Sequence, residues 1–500
     1  MMNSRDASAD VLIVGSGPSG LAVADTLRNH GVSSTILEAG SRAEVPDYQA
    51  FPTTAAYREF AKASYLVDER VWDYESDRNK FDWNRVRTCG GRTVRWGGWL
   101  ARPSAANFTS TFNGGVQWPF ELTELDRLFD RSARWLGARE GVLTEPFARL
   151  GNSSNCIVSP KTGAVSSDNI RPFHAFDRLH DRRPPIMGSG SVKVIDKVIV
   201  KNLLCGSAGY EAVEYLDSST GETRRLQSKA IVLCASPIET ARLLLTAEMG
   251  RYGAAVDLVG KSYLDHISAS YLAILPVSFS GTPIALPLER AAVIRTPANC
   301  TLESRHEFGG YTIELHGPDP ISIQDDRILR AAGIERDSDR ACISVNAIGE
   351  LRKSPTRTLA LSDRVDGIGR LQPKIEIEWD AQSRALASHM EDEIKRIATI
   401  LAGQGGRVVK VRETLALGGT SASHEAGTCP MGIDPSCSVT NAFGQLHGVP
   451  GLFIGDASLM PTALDCHPTL ALVGLAMNTA DGVARFVRTT TFSKSIKISR

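Results

Sequence analysis

The chain has 500 residues, 42% of them hydrophobic and 22% charged, which is typical of a globular protein with a large core. Its 56 lysines and arginines balance 56 aspartates and glutamates, and this zero net charge excludes a nucleic-acid-binding protein that relies on a basic surface. Because the nine cysteines have no Cys-x-x-Cys spacing, we expect no metal site and no redox dithiol.

The sequence pattern shows no targeting or membrane segment. The N-terminus, MMNSRDASAD, lacks the apolar region of a signal peptide, and no stretch approaches the ~20 apolar residues of a membrane span. Scattered cysteines in a large chain indicate a reducing compartment. We therefore expect a cytoplasmic protein without a membrane span.

A glycine-rich turn belongs to the first structural unit. Residues 10–14 (DVLIV) predict a buried strand, residues 21–30 a helix and residues 34–37 a second strand. The sequence GSGPSG at 15–20 lies between strand and helix, where glycines allow a tight turn, close approach of a pyrophosphate and close helix packing. The helix N-terminus attracts phosphate groups, and an acid after the second strand can bind ribose hydroxyls. The pattern predicts binding of a dinucleotide, FAD or NAD, by Gly15, Gly17, Ser19, Gly20 and Glu38.

The rest of the chain predicts loops, helices and a second sheet. Residues 85–103, with five arginines and four glycines, predict a loop, and residues 122–136 an amphipathic helix. Residues 150–190 are rich in Ser, Asn, Pro and Arg, which is typical of surface connections. Short β-like runs alternate with turns through residues 270–380, as in an antiparallel sheet, and residues 468–486 predict a final helix.

Three segments near the C-terminus resemble the signature of the glucose–methanol–choline (GMC) oxidoreductases. They are 423–432 (SHEAGTCPMG), 438–456 (SVTNAFGQLHGVPGLFIGD) and 457–476 (ASLMPTALDCHPTLALVGLA). In that family a His-x-x-Gly-Thr segment is followed by a Val-rich strand pair, an Asp-Ala-Ser, a Pro-Thr, and a His or Asn before the last helix. All of these features occur here in that order.

Three further segments are similar to parts of the same family. VLCASPIETARLLL (232–245) resembles its strand-to-helix passage beside the cofactor, and VGKSYLDH (259–266) resembles the usual continuation. WPFELTELDRLF (118–129) resembles a segment common in bacterial members and in the pyranose oxidase branch. The resemblance is weak across residues 270–350.

The resemblance implies an α/β fold with two interleaved domains, as in p-hydroxybenzoate hydroxylase. A Rossmann-like FAD-binding domain would alternate along the chain with an α+β substrate domain built on an antiparallel sheet. We expect the FAD-binding domain at residues 1–115, 186–270 and 418–500. The substrate domain would comprise residues 116–185 and 271–417, of which the second range should form most of the pocket.

The resemblance also implies a pair of catalytic histidines. His424 stands at the family's catalytic position, and His467 at the second position. Alcohol oxidation removes a carbon-bound hydride, which can go to the flavin N5, and a hydroxyl proton, which a histidine suits because its pKa lies near neutral pH. A second donor can hold the oxygen as charge develops. His467 has the alternative of capping the helix that starts at Pro468, and we interpret His266 and His447 as structural.

The loop 89–98 resembles the family loop that runs along the flavin ring. Arg95 stands where some members carry the histidine that attaches FAD covalently, and no histidine lies between Asn84 and Pro103. We therefore expect non-covalent FAD. Trp96 either flanks the substrate cavity or packs within the loop. The resemblance implies cofactor contacts at Gly91, Arg95, Trp96, Gly97, Val200, Ala235, Ser236, Asp456, His467, Pro468 and Thr469.

The implied substrate is a small-molecule alcohol, with oxygen or another acceptor for the electrons. The pyranose-oxidase-like segment favours a sugar, a glycoside or a related polyol, oxidised from CH–OH to a carbonyl with His424 as the base. Two alternatives within the family are a non-redox lyase that keeps FAD as a scaffold, and oxidation of a non-sugar natural-product alcohol. The alternative outside it is an NAD-binding module with an unrelated C-terminus. The pattern leaves open whether the enzyme is an oxidase or a dehydrogenase.

Overall fold

Two large sheets, one parallel and one antiparallel, form the framework of the protein in the computed structural model. The elements predicted for the N-terminal unit and the final helix, and most of the range 270–380 predicted for the antiparallel sheet, lie within the part of the chain that the structure describes. That part comprises residues 9–41, 74–77, 79–83, 85–94, 96–109, 116–143, 147, 157–165, 175, 190–247, 254–280, 291–324, 326–335, 339–418 and 423–496.

The parallel sheet gathers strands from both ends and the middle of the chain. Its strands are mostly buried, which explains their continuous hydrophobic runs. The strand–helix–strand unit expected at the N-terminus is confirmed, with its helix at Pro18–Asn29. Ligands of such sheets bind at the carboxyl ends of the strands, where the glycine turn also lies. In spatial order the five parallel strands are Leu452–Ile454, Ala230–Leu233, Val11–Val14, Ser34–Leu37 and Val192–Ile195.

The antiparallel sheet confirms the pattern expected for residues 270–380. The helix Ala381–Ala402 packs across its central strands. One edge strand comes from the segment 150–190, so the expectation that this segment forms only surface connections was wrong. In spatial order the six strands are Arg407–Lys410, His266–Ser278, Arg340–Glu350, Tyr311–Pro320, Ala291–Arg295 and Ile157–Pro160.

The final helix, Thr469–Ile496, extends beyond the predicted end at residue 486 and packs against the helices Pro18–Asn29 and Leu122–Leu136. Its part Thr469–Thr490 is long and apolar enough to cross a membrane by length and composition alone. The apolar window of this helix is 67% buried inside the protein, as in a helix of a protein core.

Shorter elements connect these layers. The strand His266–Ser278 crosses the predicted domain boundary after residue 270, and the boundaries themselves stay a prediction. Two three-stranded sheets comprise Val198–Gly206, Gly209–Asp217 and Thr223–Gln227, and Trp99–Leu100, Thr162–Ala164 and Ala138–Glu140. Two two-stranded sheets comprise Arg357–Val365 with Leu371–Ile377, and Phe81–Asp82 with Leu417–Gly418. The remaining α-helices are Pro237–Thr246, Ala254–Asp257, Pro297–Cys300, Leu302–Phe308 and Asp326–Ala332, and short 3-10 helices lie at Gly91–Val94, Ala105–Phe108, Ile321–Ile323 and Ala457–Leu459.

Candidate active site

The glycine turn at residues 15–20 has steric requirements that only glycine meets at two positions. Gly15 has a positive φ of 98°, and a Cβ there would overlap the carbonyl oxygen of Cys234, just after the neighbouring strand. A Cβ at Gly20 would overlap the carbonyl oxygen of Gly15. Both glycines therefore serve close packing of the protein with itself, as the sequence pattern predicts for the first and third glycine.

The opposite side of the same turn is open. A Cβ at Gly17 would meet no atom within 4 Å, and Gly17 immediately precedes the helix Pro18–Asn29, whose first turn contains Ser19. A Cβ at Gly91 would stand 3.1 Å from the Cα of Gly17, so the loop after Cys89 runs close to the turn. The helix N-terminus thus borders a cradle made of backbone, which suits a phosphate group.

Glu38 stabilises this turn. It follows the strand Ser34–Leu37 and is 6% exposed. One carboxylate oxygen accepts hydrogen bonds from the N–H (2.9 Å) and the hydroxyl (2.6 Å) of Ser16, and the other accepts the N–H of Gly40 (2.8 Å). Burial raises the pKa of Glu38, although these hydrogen bonds and Arg87 act in the opposite direction. Both carboxylate oxygens have protein partners, and a ribose contact stays a prediction.

Other predicted cofactor residues lie at the carboxyl edge of the parallel sheet. Ala235 and Ser236 join the strand Ala230–Leu233 to the helix that starts at Pro237, and Ser236 has a positive φ of 79°. Asp456 follows the strand Leu452–Ile454, and its carboxylate accepts the N–H of Ser458 (2.9 Å) and the hydroxyl of Thr240 (2.7 Å). Burial raises the pKa of Asp456. The structure therefore brings these residues to the same edge as the glycine turn.

The other residues predicted to contact the cofactor lie in several separate elements. Val200 is buried in the strand Val198–Gly206, and its carbonyl accepts a hydrogen bond from Arg370 at 3.4 Å. Trp96, followed by Gly97, is partly buried against the core. The carbonyl of Pro468 accepts a hydrogen bond from Leu472 in the first turn of the last helix, which begins at Thr469. Arg95 lies outside the described residues, so the expected non-covalent attachment of the cofactor stays a prediction.

The loop 89–98 connects the glycine turn with His424. Arg92 donates a hydrogen bond to the carbonyl of Ser423 (2.6 Å) and forms an ion pair with Glu425 (2.5 Å), whose side chain is completely buried. The residues before and after His424 are thereby held by the same guanidinium. Because Arg92 is paired with Glu425, its charge is largely compensated at this position.

His424 and His467 face each other. His424 Nε2 lies 3.4 Å from His467 Nδ1, with the two rings 5.1 Å apart and nearly perpendicular. Burial lowers the pKa of His424 well below 6.5, and the neighbouring His266, His467 and Arg92 lower it further. His424 is therefore neutral at pH 7 and can accept a proton. Both ring nitrogens of His467 face side chains, which disfavours the alternative in which this residue only caps the helix.

A buried ion pair supports His467. Its Nε2 lies 2.9 Å from Glu314 Oε1, and the other oxygen of Glu314 lies 2.6 Å from Lys161 Nζ. Burial would raise the pKa of Glu314, but His467, Lys161 and His316 outweigh it and hold the pKa well below its usual range. Glu314 is thus an anion that accepts a hydrogen bond from the N–H group at Nε2 of His467.

His266 touches His424 from the other side. Backbone hydrogen bonds between Leu264 and Ala426, at 3.0 and 2.8 Å, set an antiparallel register that places residue 266 opposite residue 424. His266 Nδ1 lies 3.0 Å from His424 Nδ1. Asp265 Oδ1 accepts the backbone N–H of His266 (2.7 Å) and of His424 (2.9 Å). One carboxylate oxygen therefore holds both histidine backbones.

Contacts join the glycine turn, the loop 89–98 and the histidines into one continuous site, and Glu314 reaches His467 from a strand of the antiparallel sheet. The backbone cradle beside Gly17 suits a pyrophosphate, and the loop 89–98 runs from that cradle to the clamp around His424. This arrangement fits an extended dinucleotide with its reactive ring near the histidine pair. Among the described residues, no cluster of three or more His, Cys, Asp or Glu side chains has the arrangement of a metal site.

Comparison with known proteins agrees with this geometry. Residues 361–476 match the family model for GMC oxidoreductases, and residues 8–50 match a model for an FAD-binding domain. A 2-methyl-1,2-propanediol dehydrogenase from Mycolicibacterium austroafricanum is 24% identical, over 97% of this chain and 96% of its own. The chain carries the C-terminal domain of the GMC oxidoreductases together with an FAD-binding domain. It is therefore an enzyme that uses FAD and oxidises alcohols, as predicted.

Two further proteins extend the comparison. A C-glycoside 3-oxidase from Microbacterium trichothecenolyticum is 24% identical, over 96% of this chain and 97% of its own. The crystal structure of pyridoxine 4-oxidase from Mesorbium loti superimposes with a TM-score of 0.64 at 17% identity, covering 95% of this chain and 99% of that one. This likeness confirms the expected fold, an FAD-binding domain combined with a substrate domain.

The sequence patterns gave no functional role to three residues that contact the histidine pair directly or through one neighbour. Glu314 and Lys161 carry no motif, and each lies in a segment where the family resemblance is weak or absent. His266 lies in the matching segment 259–266, but its contact with His424 joins residues 158 positions apart. The pairing of Leu264 with Ala426 is the signal that would have revealed it, and that pairing requires the fold.

Proposed function

We propose that this enzyme oxidises a CH–OH group of a sugar, a glycoside or a related polyol to a carbonyl. The observation that supports this proposal most directly is the pair of facing nitrogens, His424 Nε2 and His467 Nδ1, 3.4 Å apart beside the glycine loop. A substrate hydroxyl placed against this pair would have a neutral base and a second polar group within hydrogen-bonding range. Bound FAD supplies the acceptor for the hydride from the same carbon.

Each residue of the site would have a separate role in the reaction. His424 accepts the hydroxyl proton, because its lowered pKa keeps it neutral at pH 7. His467, held by Glu314 at Nε2, turns its Nδ1 toward the position of the substrate hydroxyl beside His424. Arg92 binds the backbone carbonyl of Ser423 and the side chain of Glu425, the residues on both sides of His424. The residues bordering the glycine turn would hold the FAD pyrophosphate without a covalent link.

The substrate class rests on the relatives. The C-glycoside 3-oxidase, as its name states, acts on a glycoside, and the 2-methyl-1,2-propanediol dehydrogenase acts on a small diol. Both substrates are polyhydroxy compounds, and the partially polar surroundings of the histidine pair suit such molecules. We further propose that the enzyme acts in the cytoplasm and passes its electrons to oxygen or another acceptor.

Anaerobic reduction of the flavin tests the proposal. FAD-loaded enzyme is mixed with sugars, glycosides, polyols and simple alcohols, and the loss of visible flavin absorption is followed. Bleaching by a polyhydroxy substrate would support the proposal, and rapid return of colour in air would identify an oxidase. Substrate turnover without any bleaching would instead indicate a lyase and contradict it.

Two histidine variants make the test specific. His424→Gln should slow flavin reduction by about 10²- to 10⁴-fold, the usual contribution of a general base. His447→Gln is the matched control, because His447 contacts Ser438 at 3.0 Å in a turn that does not contact the histidine pair. Equal rates in the two variants would contradict a role for His424 as the base.

A further inference from the structure

The hydrogen-bond partners of His266 determine where its proton lies. His266 Nε2 lies 3.0 Å from the carbonyl oxygen of Leu464, which can only accept a hydrogen bond. Nε2 must therefore carry a proton. His266 is completely buried, and burial lowers its pKa to about 4, so the ring holds a single proton at pH 7. Its other nitrogen, Nδ1, is consequently an acceptor.

The same reasoning then applies to His424. His424 Nδ1 lies 3.0 Å from the unprotonated Nδ1 of His266, and a hydrogen bond between them requires a proton on His424. His424 is neutral as well and carries a single ring proton. That proton lies on Nδ1, so Nε2 has none. That Nε2 is the nitrogen which faces His467.

We infer that His266 is a positioning residue that selects the tautomer of His424 and so leaves Nε2 free to accept the substrate proton. This inference deepens the proposed function and rests on it for its catalytic meaning. Two hydrogen bonds form this chain: His424 Nδ1–H donates to His266 Nδ1, and His266 Nε2–H donates to the Leu464 carbonyl. In the reaction the substrate O–H bond breaks, an N–H bond forms at His424 Nε2, and the hydride leaves with its electron pair to FAD.

Neighbouring side chains hold the hydrogen-bonded pair of His266 and His424 in place. Asp265 Oδ1 binds the backbone N–H groups of both histidines, so the rings keep a fixed separation. The titratable and charged groups around the pair are Asp265, Asp465, Arg92 with its partner Glu425, and His467 with Glu314. In the described contacts, none of these groups forms a hydrogen bond with Nδ1 of His266 or of His424. The two Nδ1 atoms therefore pair with each other, and His266 Nδ1 accepts the proton of His424 Nδ1.

Two substitutions of His266 separate a tautomer role from a packing role. Asn carries an amide oxygen near the position of Nδ1 and can still accept from His424, whereas Leu fills similar space without an acceptor. We expect H266L to reduce the flavin about 10²-fold more slowly, the lower end of a general base contribution, with KM and FAD affinity nearly unchanged. H266N should recover most of the rate, and equal rates in H266L and wild type would overturn the inference.

Nuclear magnetic resonance of ¹⁵N-histidine-labelled, FAD-loaded protein tests the inference without any substrate. The resonances of His424 are assigned by their absence in His424→Gln. We expect a protonated Nδ1 and an unprotonated Nε2 in the wild type and in H266N, and a mixture of tautomers in H266L. A protonated Nε2 in the wild type would overturn the inference. Because no turnover is needed, a wrong proposed function would leave this result intact, and the wild-type spectrum decides even where H266L does not fold.

Discussion

Lys161 Nζ lies 2.6 Å from Glu314 Oε2, and the two side chains are only 1% and 4% exposed. The same ammonium lies 3.8 Å from the centre of the Trp99 ring, and Glu314 holds His467 through its other oxygen. The orientation of His467 therefore depends on a cation that does not touch it. A buried charge pair of this kind costs desolvation, so a functional role for the pair offers one reason for its presence.

Substitution of Lys161 by Met tests this dependence. Lys161→Met keeps the length of the side chain but leaves the Glu314 carboxylate without its cation in a buried position. We expect the free energy of unfolding, measured by urea titration at saturating FAD, to fall by about 3 kcal/mol. Flavin reduction should also slow, because Glu314, no longer held by Lys161, would orient His467 less firmly.

A surface pair provides the control for Lys161. Lys80 Nζ lies 2.8 Å from Glu378 Oε1, but these side chains are 27% and 69% exposed. Lys80→Met should change stability far less than Lys161→Met and leave the flavin chemistry unaltered, because water solvates both charges. Similar effects of the two substitutions would show that burial does not strengthen the Lys161–Glu314 pair.

Gly17→Ala should separate cofactor binding from folding. The backbone at Gly17 has φ −63°, which alanine adopts without strain, and the added methyl group would meet no protein atom. It would project into the cradle where a phosphate approaches the backbone. We expect unfolding of the FAD-free protein to be unchanged and the Kd for FAD to rise roughly tenfold or more, as measured by flavin fluorescence.

Gly221→Ala gives the opposite result and so serves as a control. Gly221 has a positive φ of 75° in a surface turn, where a Cβ meets open space. Alanine there should cost about 1 kcal/mol of stability through backbone strain and leave FAD affinity unchanged. If Gly17→Ala weakened folding as well, its open side would not be the phosphate cradle.

The FAD should be released from the denatured protein. No histidine lies between Asn84 and Pro103, so the loop that resembles the flavin-attachment segment offers no imidazole for the covalent link. After acid precipitation we expect the yellow cofactor in the supernatant and a colourless pellet. A yellow pellet that keeps its flavin after washing would show a covalent bond from a different residue.

The local elements of the fold could be predicted from the sequence because their signals are local. The helix expected at 122–136 has these bounds in the structure. Glu121 and Glu124 form a capping box at its start, and Gly137 ends it with a positive φ of 63°. The N-terminal strands and glycine turn were predictable for the same reason, since the period of the pattern and the turn residues lie within a few positions of each other.

The supporting groups of the site could not be predicted in this way. Lys161 follows a segment whose polar composition is typical of a surface, yet it is buried because the strand Ile157–Pro160 joins the edge of the antiparallel sheet. Glu314 alternates with apolar neighbours in its strand and gave no signal of its own. The contact of His266 with His424 depends on the register between two distant segments, which no local pattern encodes.

The rate of flavin reduction should fall as the pH falls through the pKa of His424. Only the neutral imidazole can accept the substrate proton, so activity is present above this pKa and is lost below it. Because burial, together with His266, His467 and Arg92, lowers the pKa of His424 well below 6.5, we expect kcat/KM for reduction to be nearly constant around neutral pH and to decline only at distinctly acidic pH.

Asp265 provides the control for this profile, because burial and the nearby Glu425 raise its pKa to about 7. Asp265→Asn removes this ionisation but keeps an oxygen that accepts the N–H groups of His266 and His424. An acidic inflection that persists in Asp265→Asn belongs to His424, whereas an inflection near pH 7 that disappears belongs to Asp265. The wild type could instead show a single inflection, at or above pH 6.5, that Asp265→Asn keeps. The pKa of the base would then not be lowered, and this result would contradict the assignment of the base to His424.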